Sequence, residues 1–136
     1  MSLSQRELIN ETITTALAAV IRGSTSGLYG MRDIAIEANF VYGSGGTTAK
    51  VWIQTSLDGG ANWIDICNFA FTTSSARLVT TLSVADAAAT ITPVDGTLAD
   101  NTEVLGILGD MIRAKLTTTG TYAGGTTLNV NYVPQG

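Results

Sequence analysis

The groups able to do acid–base or metal chemistry in this chain are carboxylates. Asp58, Asp65, Asp86, Asp95, Asp100, Glu103 and Asp110 supply them from residue 58 onward. Two carboxylates held at the right separation hydrolyse glycosidic bonds, one as acid and one as nucleophile or base. No pair here stands in a diagnostic motif. Most of these residues fall where turns and strand ends use an Asx side chain to accept backbone N–H bonds. Histidine is absent. That excludes Ser-His-Asp and Cys-His nucleophile systems, and zinc sites of the usual Cys/His type. Asp95, Asp100, Asn101 and Glu103 gather hard oxygens in one loop, but the spacing is not that of an EF-hand. Gly43-Ser44-Gly45-Gly46 is glycine-rich, yet no Lys-Ser/Thr pair follows it. A strand comes next where a phosphate loop needs a helix. No catalytic, metal or cofactor-binding residue is assigned, and the chain reads as a non-enzymatic protein with no cofactor.

Two further residue classes could serve a ligand. Cys67 is the single cysteine, so it has no internal disulfide partner. It alternates with Phe69 and Phe71, which reads as a small buried hydrophobe rather than a reactive thiol. Trp52, Trp63, Tyr29, Tyr42, Tyr122 and Tyr132 could build a flat aromatic platform for a sugar. Trp52 shares a strand face with Lys50 and Gln54, which places it at the surface or in an interface. A carbohydrate-binding module centred on Trp52 is therefore the alternative to a protein-binding role.

These residues hang on a chain patterned for strands. In Ile34, Ile36, Ala38, Phe40 and Tyr42 every second residue is apolar, with Asp33, Glu37 and Asn39 opposite. Ala49, Val51 and Ile53 share one face of the next strand. Ser56-Leu57-Asp58-Gly59-Gly60-Ala61-Asn62-Trp63 then separates the apolar segments 49–55 and 64–71, and predicts a hairpin turning at Asp-Gly-Gly. After the turn, Trp63, Cys67, Phe69 and Phe71 line one face and Ile64 and Ile66 the other. Two apolar faces predict a central strand, or one covered on both sides. Residues 76–84, 111–118 and 126–133 are further strands, with Pro134 expected to end the last. The tetrapeptide Gly-Gly-Thr-Thr recurs at 45–48 and 124–127, read as one turn chemistry used twice.

The flanking segments read differently. Leu3, Leu8, Ile9, Ile13, Leu17, Val20 and Ile21 recur near helical spacing, with Ser4 and Glu7 placed for a capping box. Thr12, Ile13, Thr14 and Thr15 oppose a helix. A helix or arm over residues 4–10 is expected, and the remainder to residue 22 stays open between helix, strand and extended arm. Residues 85–109 predict a long excursion, with Asn101 or Thr102 capping a short helical turn through Leu108. Loops of that length are often contact elements.

Composition narrows the function classes. The 136 residues fit one domain with a core that needs no disulfide or metal. Charged residues make up 13%, about half the usual ~25%, while 21 Thr and 15 Gly fill the gap. Such a surface is easily desolvated against another protein. Net charge is −4 and the seven basic residues are dispersed. No basic cluster offers a run of phosphate contacts, so direct nucleic-acid and anionic-membrane binding are not expected. The N-terminus lacks the basic-then-apolar pattern of a secretory signal.

The S-x-D-x-G-x-x-W run at 56–63 resembles the Asp-box hairpin of many β-rich extracellular and viral proteins. In that pattern the Trp packs under the turn and the Asp binds loop backbone, so Trp63 and Asp58 are expected to be structural. The wider order of features over residues 31–133 resembles small β-sandwich structural proteins of tailed bacteriophages. It comprises the strand Asp33-Ile34-Ala35-Ile36-Glu37-Ala38, the hairpin from Val51 to Ile66, the strand Ile112-Arg113-Ala114-Lys115, and Thr-Gly-rich hairpins near the end. The resemblance implies a virion component, foremost a capsid decoration (cement) protein, or a tail or head-tail connector component. Its partners would be the major capsid protein or other virion proteins and copies of itself, with assembly in the host cytoplasm.

The resulting expectation is an all-β fold. It is an antiparallel β-sandwich of about seven or eight strands with an N-terminal helical or extended arm. Residues 1–27 form the arm and its flexible connection. Residues 28–136 form the sandwich, with the long loop at 85–109.

Overall fold

A computed structural model describes residues 6–28, 30–85 and 90–136. Among them every regular element is a strand: β1 Arg6–Thr12, β2 Val20–Thr25, β3 Asp33–Val41, β4 Ser44–Gly45, β5 Thr48–Ser56, β6 Ile64–Phe71, β7 Ala76–Ser83, β8 Met111–Thr119, β9 Tyr122–Ala123 and β10 Thr127–Gln135. Eight are long, and β4 and β9 are two-residue strands paired with each other. The long strands form two four-stranded antiparallel sheets. The first has the order β1-β10-β3-β7 and the second β2-β8-β5-β6.

The two sheets close on one apolar core. Ile34, Ile36, Ala38 and Phe40 of β3 and Leu128, Val130 and Tyr132 of β10 meet Ala49, Val51 and Ile53 of β5 and Ile112, Ala114 and Leu116 of β8. On β3, β8 and β10 they alternate with less buried residues, as period-two patterning requires, whereas β5 is buried on both faces beyond Lys50. A fully buried Ile or Leu contributes roughly 1.5–3 kcal/mol by leaving water. At one end Phe40 stacks on Phe71 at 4.9 Å, and Tyr122 meets Phe40 edge-on at 5.6 Å. The two Gly-Gly-Thr-Thr turns meet at that end through β4 and β9. A Cβ on Gly43 would lie 2.3 Å from the Gly124 carbonyl oxygen.

The segment expected as an arm supplies, over its described part, an edge strand to each sheet. β1 pairs with β10 and β2 with β8. Residues 6–12 are therefore a strand and not a helix, and the proposed cap Ser4 lies outside the described residues. Leu8, Ile9 and Ile13 belong to the core. The register slips between Glu7 and Ile9, so adjacent Leu8 and Ile9 both turn inward. That bulge produces the spacing that imitates a helix.

The strand β6 is an edge strand buried on both faces, the second of the two forms expected for it. Three other expectations change. A bulge opposite Ile53 and Gln54 turns both Ile66 and Cys67 into the core, against which Ile64 also packs, so Ile64 and Ile66 form no outer face. Residues 101–108 contain no helical turn; their backbone runs beside β6 instead. The strand β10 continues through Pro134, which stands opposite Ile34. A proline has no N–H to give, so the ladder passes it at a non-bonded position.

Candidate interaction surface

The Asp-Gly-Gly turn is a closed hydrogen-bond unit. The Ser56 hydroxyl donates to Asp58 Oδ1 at 2.9 Å and accepts the Gly60 N–H at 2.8 Å. Asp58 also accepts the Asn62 backbone N–H at 2.8 Å and its side-chain amide at 2.6 Å. The Asn62 backbone bond, then its side chain and the Ser56 hydroxyl, lower the Asp58 carboxyl from 3.8 to about 2. Gly59 and Gly60, at φ 72° and 96°, hold the left-handed backbone the turn needs. Trp63 Nε1 donates to the Gly60 carbonyl at 3.1 Å, and the Arg113 guanidinium lies 4.3 Å from the ring centroid. Asp58 and Trp63 are thus spent within the hairpin. A recess of about 630 Å³ beside it is bordered by Trp63, Pro93, Asp95 and Arg113.

The outward face of the second sheet is strapped by residues 90–109. Its centre is Asp65, only 1% exposed. The Asp65 carboxylate accepts the backbone N–H groups of Gly96, Thr97 and Leu98 at 2.8–3.1 Å and the Gln54 amide at 2.8 Å. Gln54 also donates to Asp95 and accepts from Arg113 Nε at 2.8 Å. Asp95 pairs with Lys115, and Asp100 with Lys50 at 3.0 Å. Partial burial works against ionising Asp95, but the Lys115 ammonium and Gln54 amide outweigh it and hold its carboxyl below the ordinary range. The loop backbone also closes the free edge of β6. The Asp65 and Asn68 amides donate to the Val94 and Thr102 carbonyls, and the Val104 amide to that of Ile66, each at 2.9 Å. Asn101, at φ 54°, accepts the Ala70 amide on its side chain.

This arrangement engages two groups of residues singled out in the sequence. The oxygens of Asp95, Asp100 and Asn101 are directed to Lys115, Lys50 and the Ala70 amide. Trp52 is 7% exposed and donates from Nε1 to the Leu98 carbonyl at 3.0 Å, so its ring is covered rather than offered to a sugar. Tyr122 and Tyr132 are buried as well. Tyr29 and Asp86 lie outside the described residues. Cys67 is buried, and that burial, followed by the Glu103 charge, pushes its thiol up to about 12, which suits an inert core residue.

The outward face of the first sheet has no such cover among the described residues. The registers of β10, β3 and β7 align Asn129, Asn39 and Arg77 in one row, Asn131, Glu37 and Val79 in the next, and Val133, Ala35 and Thr81 in a third. The strand β1 extends the first two rows with Asn10 and Glu7. Arg77 and Glu37 neutralise each other through a side-chain pair. A shallow recess of about 210 Å³ lies over Ala35, Val79, Asn131 and Val133. The Asn129 and Asn131 Oδ1 atoms have no hydrogen-bond partner. Sequence reasoning did not single out this face. Its signal was the neutrality of the solvent-side positions of three β-strands that also alternate cleanly.

Among the described residues no helix is long and apolar enough to cross a membrane. No protein-family model matches the chain, and no curated protein matches it at a significant level.

Proposed function

We propose that this is a non-enzymatic structural protein of a tailed-phage virion, foremost a capsid decoration protein that stabilises the head through protein–protein contacts. One observation carries the reading: the outward face of the first sheet is broad and sparsely charged, built mainly from Asn, Ala, Val and Thr around one ion pair, with the carboxylates of Glu7 and Asp33 toward its margins. A broad face with few charges suits a lasting contact with a capsid lattice. Four strands about 4.8 Å apart and seven to nine residues long give a face of roughly 19 by 27 Å. Two apposed faces of that size remove on the order of 1,000 Å² from water, about the minimum for a specific protein contact. Repetition over a symmetric particle would multiply modest individual contacts.

The test is binding to particles. Protein added to phage heads that lack it should co-sediment with them at saturating, lattice-defined stoichiometry and raise the temperature at which they release DNA. Asn131→Lys with Val133→Lys should abolish binding while leaving the fold intact. Protein that never co-sediments with heads or tails overturns the proposal.

A further inference from the structure

Unpaired strand edges invite pairing with other chains, and soluble β-proteins blunt them. This sandwich has four edge strands: β1, β7, β2 and β6. Three are blunted. The strand β1 carries a bulge between Glu7 and Ile9 together with Arg6, Glu7 and Glu11. The strand β2 carries a register break between Arg22 and Thr25 and is interrupted by Gly23. The strand β6 is closed by the loop backbone at Val94, Thr102 and Val104.

The fourth has none of these devices. The strand β7, Ala76-Arg77-Leu78-Val79-Thr80-Thr81-Leu82-Ser83, pairs with β3 in unbroken register over its whole length. It has no proline, glycine or bulge, and one charge, which Glu37 neutralises. Among the described residues loop hydrogen bonds reach it only at Ser83, whose carbonyl accepts the Gly106 amide and whose hydroxyl accepts the Ala85 amide. Val79 is 61% exposed, the most of any large apolar side chain on a described strand. Beside this edge lies a recess of about 210 Å³ bordered by Asn68, Phe69, Leu78 and Thr80. The Asn68 side chain, 1% exposed, lines it and its Nδ2 donor has no partner.

We propose that β7 is the self-association edge of this protein, where it pairs antiparallel with β7 of a second copy about a two-fold axis. A second copy is the occupant that the charge pattern fits. For the two sheets to run on as one, residues facing each other must point to the same side, so the axis passes through Val79 or Thr80. The register centred on Val79 sets Val79 against Val79 of the second copy, covering the exposed valine. It sets Arg77 against Thr81 of the second copy and Leu78 against Thr80 of the second copy. The two Arg77 residues then stand four residues apart along the ladder, roughly 13 Å, beyond the screening length at physiological salt. The inward-facing Leu78 and Thr80 of the second copy lie toward the recess at Asn68, where a threonine hydroxyl can accept the free amide proton. The product is an eight-stranded sheet spanning two sandwiches, with both broad outward faces on the same side. One strand pair removes less surface than the ~800 Å² per partner of a standard interface, so association is weak in solution and grows with local concentration.

Sedimentation velocity from low micromolar to millimolar protein tests this. The natural chain should shift from monomer to dimer across that range. Val79→Lys and Val79→Glu each place like charges against themselves, and each should weaken the dimer by roughly two- to fivefold. An equimolar mixture of the two should dimerise again, because only the mixed pair is complementary. The exposure of Val79 leaves the fold unaffected, checked by circular dichroism and urea midpoint. A natural chain that stays monomeric overturns the proposal, as does a dimer indifferent to Val79→Lys or a mixture that stays monomeric. Self-pairing is separable from the capsid reading. A monomer that still coats heads refutes the pairing alone, and a dimer that never binds particles refutes the capsid role alone.

Discussion

The two outward faces of the sandwich are made from similar residues and have opposite fates. On the second sheet, Trp52, Gln54, Asp65, Asn68, Arg113 and Lys115 form a polar outer layer that a loop of the same chain has closed. Most of their hydrogen-bonding capacity is matched by backbone amides and carbonyls of residues 94–104. On the first sheet, Asn129, Asn131, Glu37, Ala35 and Val133 stand at equivalent positions with no loop over them among the described residues, and two solvent-shielded amide oxygens lack partners. Polar residues on a sheet face therefore do not tell whether the face is wet. What tells is whether another segment brings backbone groups of the right polarity to it. A face left open by the chain itself is the one available to another molecule.

The contrast is broken most forcefully at Asp65. Replacing it with Ala strands the amides of Gly96, Thr97 and Leu98 together with Gln54, and should cost about 3–5 kcal/mol, read as a fall in the urea midpoint. Hydrogen exchange should show residues 94–104 losing protection first, with β3 and β10 unchanged. Trp52→Ala opens a cavity under Leu98 and should cost about 3 kcal/mol by the same measurement.

Acid provides a subtler probe of the strapped side and its neighbouring turn. The Asp58 carboxyl is depressed, from 3.8 to about 2. A depressed acid contributes its stability in full above its unfolded value and loses it as pH falls toward the folded one. Stability should therefore decline between about pH 4 and pH 2, and Asp58→Asn should flatten that decline. Asp95, also depressed, adds to the same slope. Urea midpoints measured across that pH range check both. The smallest effect belongs to the open face. Asn129→Ala or Asn131→Ala should change stability by no more than about 0.5 kcal/mol, since each removes an oxygen that bonds nothing. A loss of several kcal/mol there would mean the two faces are alike after all.

The strands β3, β5, β8 and β10 were legible because their inward residues alternate without interruption, and Ile64–Phe71 is bounded as the sequence suggests. Bulges defeated the reading elsewhere. Leu8 with Ile9, and Ile66 with Cys67, are adjacent residues that both face the core, which no period of two or 3.6 encodes. The strap was hidden for a different reason. Asn101 and Thr102 are good local caps, but their bonds go to β6, more than thirty residues back. Local propensity lost to distant backbone pairing there. Trp52 misled because a residue buried beneath polar neighbours has the flanking sequence of an exposed one.

The place of β10 in the first sheet also constrains how the protein is made. It lies between β1 and β3, bonded to both, though roughly a hundred residues separate it from either. Until a ribosome has released Thr127–Gln135, β1 and β3 have no mutual partner, and the sheet exists only as the β3–β7 ladder. The central closure is thus a late, long-range event, of the kind that slows folding and prolongs exposure of sticky intermediates. That interval is when nascent chains are most vulnerable to joining the wrong neighbour.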